Sequence, residues 1–94
     1  MILIIRIMDS YQTFDVERLL ETSGDDRSLA VELLSLYLEL TGKELDRLQI
    51  VASIGDNKSI HSIAHKCAGS SITCGMQELA DILRELEYAS VESV

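Results

Sequence analysis

The sequence predicts an all-α fold: an up-and-down antiparallel four-helix bundle with a short additional N-terminal helix or tail. Three observations predict it. No proline and only five glycines occur in 94 residues. Leucine and glutamate, both good helix formers, recur along the chain. Apolar residues repeat at three-and-four spacing in stretches joined by short polar turns, the pattern of antiparallel helical neighbours. A β fold would need more turn residues. The length suits one domain, read as an apolar N-terminal extension over 1–12 and a bundle over 13–94. With 47% apolar and 26% charged residues the chain is globular rather than disordered. No internal repeat or low-complexity stretch is present.

Met1 to Met8, MILIIRIM, is apolar but too short to span a bilayer. It contains Arg6 and lacks the parts of a signal peptide. Its isoleucines favour an extended segment or an added turn of helix, lying on the bundle or on a neighbouring copy; it also reads as an upstream extension with Met8 as the natural start. A short helix follows from about Asp15 to Thr22, stopped at Ser23-Gly24. Asp25 or Asp26 caps a long acidic helix from Arg27 to about Ser53, whose apolar positions include Leu33, Leu36, Tyr37, Leu40, Leu45, Leu48 and Val51. Gly42 predicts a kink or local loosening within it. Gly55-Asp56-Asn57 turns the chain into a third helix reaching about Thr73. Gly75 ends that helix, and a last one from Met76 to about Ala89 carries the stripe Leu79, Ala80, Leu83 and Leu86. The third and last helices should form an antiparallel hairpin.

The third helix holds the candidate site. Ile60, Ile63, Ala64, Cys67, Ser71 and Cys74 mark its buried face, so His65 projects roughly 150° away, toward solvent. His61, Ser62, Ala68 and Gly69 are its neighbours three and four positions off. Ile72 lies one turn further along the same side and Lys58 two turns before. Gly69 costs about 1 kcal/mol against alanine on this outer strip, which points to close approach by another molecule. Ser71 reads as tight helix packing, and neither Ser70 nor Ser71 has the setting of a nucleophile. Cys67 and Cys74 are roughly 10 Å apart on one helix, too far for a disulfide, and read as free core thiols of a reducing, cytoplasmic compartment.

The string His65-x-x-x-Gly69-Ser70-Ser71-x-x-x-Gly75, preceded by Ala64 and followed by Leu79-Ala80 and Leu86-Glu87, resembles the signature of histidine-containing phosphotransfer (HPt) domains. Phe14-Asp15 and the run Leu33 to Leu40 extend the resemblance over residues 13 to 90. The resemblance implies a four-helix bundle that carries a phosphoryl group on His65 in a two-component phosphorelay. It implies a carrier without an ATP-binding kinase domain rather than an enzyme. Its partners would be receiver domains of response regulators or hybrid sensor kinases, covering His61, Ser62, Lys66, Ala68, Gly69, Ile72 and Lys58 around His65. No intrinsic cofactor is implied, and Mg²⁺ is expected on the partner receiver. The family often has lysine three residues after the histidine; Ala68 stands there, with Lys66 pointing about 100° away. Lys58 and His61 then supply part of the charge, and a lysine at position 68 should add a cation.

Charge agrees with that implication. A net charge of −8 and a pI near 4.5 argue against nucleic acid or an anionic membrane as partner. From Asp56 to Gly75 there are two lysines and one acid, a net of +1, so the rest of the chain carries −9. The least acidic segment is therefore the one that would meet a phosphoryl group. A monomer is expected. Two other readings stand beside phosphotransfer: a receiver-binding module with weak or lost transfer, suggested by Ala68, and a metal site through His61 and His65, for which no third ligand is evident.

Overall fold

A computed structural model describes residues 2–10 and 13–92. Their fold is all helical: α1 (Ile2–Ser10), α2 (Val16–Thr22), α3 (Arg27–Ser53), α4 (Asn57–Thr73) and α5 (Gln77–Glu92). Helices α2 to α5 form the bundle and α1 is the additional N-terminal helix.

Aspartates start three of the helices. Asp15, Asp26 and Asp56 each accept a hydrogen bond from the backbone N–H three residues on, at 3.1, 3.1 and 3.2 Å, satisfying donors the first turn leaves open. The ends are equally local. At the end of α4 the Met76 N–H donates to the Ser71 carbonyl at 2.8 Å and the Gly75 N–H to Ile72 at 3.3 Å, with Gly75 at φ +84°. The Asp15 N–H donates to the Gly75 carbonyl at 2.8 Å, and a Cβ on Gly75 would collide with the Asp15 carbonyl oxygen. Only glycine fits where the start of α2 rests on this turn.

Helix α3 passes through Gly42 without a break. Its 27 residues account for most of the 43 Å long axis. Helices α4 and α5 form the antiparallel hairpin and share the largest interface; α3 packs on α4, α2 on both α3 and α4, and α1 on α5. The core runs through Leu19, Leu48, Ile63, Cys67, Leu79 and Leu83. Between α3 and α4, the buried Tyr37 hydroxyl and Ser71 hydroxyl are hydrogen-bonded at 2.6 Å, so Ser71 is a packing residue.

The extended alternative for the segment 1–8 is not realised over residues 2–8, and Met1 lies outside the described residues. Residues 2–10 form a helix, in which the backbone satisfies its own hydrogen bonds where a lone strand would find no partner. Ile7 packs against the core, Arg6 pairs with Glu85 at 3.0 Å, and the Thr13 hydroxyl donates to Glu78 at 2.8 Å. Among the described residues no helix is long and apolar enough to cross a membrane.

Candidate functional site

Helix α4 lies between α3 and α5, with α2 also against it, and this sets which of its side chains remain open. Its buried residues are Ile60, Ile63, Ala64, Cys67, Ala68 and Ser71. The arc is wider than the spacing of large apolar residues indicated. Ile63 and Cys67 lie toward the α3 side, where they line crevices with α3 residues. Ala68 falls on the opposite edge of the arc, the side that carries His65 to α5. It is fully buried, which corrects its expected place on the outer ring. A methyl side chain is what lets α5 approach there.

His65 stands beside that contact with 64% of its side chain exposed. Its Nδ1 lies 2.8 Å from Oε2 of Glu87 on α5, whose side chain is only 9% exposed. Arg84, one turn earlier on α5, places Nη1 at 2.9 Å from the other carboxylate oxygen of Glu87 and 3.3 Å from His65 Nδ1. His61 stacks on His65 with ring centroids 6.4 Å apart and planes 15° from parallel. Its Nδ1 reaches the Glu87 backbone carbonyl at 3.2 Å, and its Nε2 is 4.0 Å from Oε2. Glu87 therefore holds His65 and Arg84 through its largely buried carboxylate and His61 through its backbone carbonyl.

Burial opposes ionisation of Glu87, but the hydrogen bonds from His65 and Arg84 and the charges of both outweigh it and hold the carboxyl below its ordinary value. An ionised carboxylate only accepts hydrogen bonds, so His65 Nδ1 must donate. That assignment leaves the lone pair on Nε2. The exposed ring is thus held in a nucleophilic tautomer by a partner from another helix, as a third group orients a base in other nucleophilic sites.

The remaining candidates distribute around this centre. Gly69 is partly open, and a Cβ built on it meets nothing within 4 Å. Ile72 is half-buried. Lys58 is exposed and, with His61, Asn57, Ser90 and Val91, lines an apolar hollow of about 410 Å³ beside the histidine pair. Ser62 and Lys66 turn the other way, into a crevice with Glu44 and Arg47 of α3. Lys66 does not fold back over His65. Cys67 and Cys74 are free and buried, and burial pushes both thiols up, away from reactivity. Among the described residues no group of three or more metal-ligating side chains is placed to hold an ion.

A model of the Hpt domain family matches residues 32–93, more than half of the chain. The chain belongs to the Hpt domain family. The match takes in most of α3, all of α4 with the whole His65-to-Gly75 string, and α5. This Hpt domain is also 28% identical over 85 residues to the sensor protein EvgS of Escherichia coli O157:H7, and to the same degree to that of Escherichia coli strain K12. The matched stretch is 90% of this chain but 7% of either relative. No solved structure matches the chain.

Two residues of the site were not read as site residues from the sequence: Arg84 was not singled out, and Glu87 entered only as part of the signature that follows the His65 string. Arg84 and Glu87 sit three apart on one face of α5, bordering the stripe Ala80, Leu83 and Leu86. That spacing of opposite charges is a detectable signal. Its direction toward His65 depends on how α5 docks on α4, which no local pattern encodes.

Proposed function

We propose that this Hpt domain is a phosphoryl carrier in a two-component phosphorelay, accepting a phosphoryl group on His65 from a receiver aspartate and returning it to another. The observation that carries this reading is the exposed His65 ring with Nδ1 hydrogen-bonded to the largely buried Glu87 carboxylate.

The step balances with the groups in place. The Nε2 lone pair attacks the phosphorus of an aspartyl phosphate, and the P–O bond to the aspartate breaks, leaving its electron pair on the carboxylate. The Nδ1 proton stays in its hydrogen bond to Glu87, so the phosphorylated ring is an imidazolium whose charge faces a carboxylate. The same charge makes the ring a good leaving group, which keeps the transfer reversible. Positioning and charge stabilisation supply most of the catalysis in such a transfer. Arg84 contributes the nearby cation that Ala68 does not, and Lys58 adds positive charge to the same face. Any Mg²⁺ belongs to the receiver's acidic pocket.

The docking face consists of His65, His61, Gly69, Ile72 and Lys58 on α4 with Arg84 and Val91 on α5. The open space over Gly69 lets a second domain bring its aspartate to the ring. A module that binds receivers without transferring was suggested by the absent lysine; Arg84 beside the His65 ring supports transfer by offering a cation from α5 instead. The test is to charge a receiver with a small phosphodonor and add this domain. Acid-labile, base-stable label should move to the wild type and not to His65→Gln. A wild type that binds a receiver but takes no label would return the assignment to a binding module.

A further inference from the structure

Helix α3 and its C-cap carry a row of exposed apolar residues that the histidine site does not use, and of which only Leu33 packs against the core. Leu29, Leu36, Leu40, Ile50 and Ile54 are between 41% and 72% exposed. With the half-buried Leu33 they fall at spacings of four and three residues, and Lys43 and Arg47 fill the two central places of the same series. This is the a/d spacing of a coiled coil, apolar at both ends of the helix and cationic at its centre. The row's central members Leu40, Lys43 and Arg47, with Glu44 beside them, line one side of crevices with the outer side of α4. His65 meets α5 on the other side of α4. Two exposed apolar stretches on one helix face, joined by two cations, mark an interaction surface.

We infer that this row pairs α3 with α3 of a second copy, antiparallel, to make a homodimer that leaves His65 open. The charges select both the occupant and its direction. An antiparallel pair centred between Leu40 and Lys43 sets Leu29 opposite Ile54, Leu33 opposite Ile50, Leu36 opposite Arg47 and Leu40 opposite Lys43. Arg47 then lies within a turn of Glu32 and Glu39 of the second copy, both exposed beside the row, and Lys43 lies next to the second copy's Glu39. In a parallel pair Lys43 would face Lys43 and Arg47 would face Arg47. One row thus carries its own complement when turned end for end, as a two-fold interface requires. This pairing departs from the monomer expected from the sequence.

Sedimentation equilibrium of the full chain tests the pairing. Wild type should approach twice its 10.4 kDa monomer mass as concentration rises toward about 1 mM. The double variant Leu36→Arg/Leu40→Lys sets cation against cation in the antiparallel register and should raise the dissociation constant on the order of 100-fold or more. Both sites are exposed, so its far-ultraviolet circular dichroism should match wild type. Direction is read by cross-linking: Leu36→Cys chains mixed with Arg47→Cys chains should form a mixed disulfide, and Leu36→Cys alone should not. Wild type at monomer mass through the whole range would overturn the inference. So would a dimer that survives the double variant, or efficient self-cross-linking of Leu36→Cys.

Discussion

At His65 the chemistry turns on which ring nitrogen keeps its proton, and Glu87 decides it. Glu87→Gln keeps the shape and an acceptor oxygen but removes the charge facing the phosphorylated ring. Charge-assisted hydrogen bonds are worth about twice neutral ones, so single-turnover labelling should slow by roughly 10-fold, the equivalent of about 1.4 kcal/mol. Equal rates would remove Glu87 as a positioning residue. The same group links stability to pH. Its carboxyl titrates below the ordinary 4.5 in the folded chain, so the unfolded chain binds its proton first as pH falls. The stabilisation is complete above the ordinary value and is lost as pH drops through the folded value. Melting temperature should therefore show an acid step that Glu87→Gln lacks. Ala68 reverses an expectation. A lysine there enters a fully buried site between α4 and α5, so Ala68→Lys should cost on the order of 1–3 kcal/mol in urea unfolding instead of assisting transfer. Unchanged stability would contradict the burial. His65 was legible in the sequence because small neighbours and a mid-helix glycine are local signals. Ala68 and Arg84 were not, because each depends on where α5 lies.

The elements are set by their ends. Caps at Asp15, Asp26 and Asp56 and the stop at Gly75 are short-range chemistry, so the limits of α2, α3 and α4 could be read from the chain with little error. The helix α1 was ambiguous because its isoleucines favour strands, and only docking on α5 gives its helical form a surface. Gly75 joins two elements at once. Gly75→Ala must hold an alanine at φ +84° against the Asp15 carbonyl, a cost of about 2 kcal/mol or more, and the loss should appear in urea unfolding. Gly69 is the opposite case. Its Cβ direction is open, so Gly69→Gln should stabilise α4 by about 0.5 kcal/mol while severely slowing transfer from a receiver. Transfer at the wild-type rate in that variant would place the docking surface elsewhere.

Across the whole molecule the two proposed faces lie on different sides of the bundle. The α4–α5 face gathers His61, His65, Arg84 and Lys58 on a chain whose net charge is −8, a less acidic patch of the kind that the acidic pocket of the proposed receiver partner would need. The outer edge of α3 stays clear of that face. The direct test of His65 as the carrier is transfer from a phosphorylated receiver to wild type, His61→Gln and His65→Gln, with the attachment atom read by nitrogen-15 NMR of the imidazoles. The expected result is a phosphoryl group on Nε2 of His65 in the wild type, reduced but retained in His61→Gln and absent in His65→Gln. A phosphoryl group on Nδ1, or label that survives His65→Gln and disappears in His61→Gln, would contradict it.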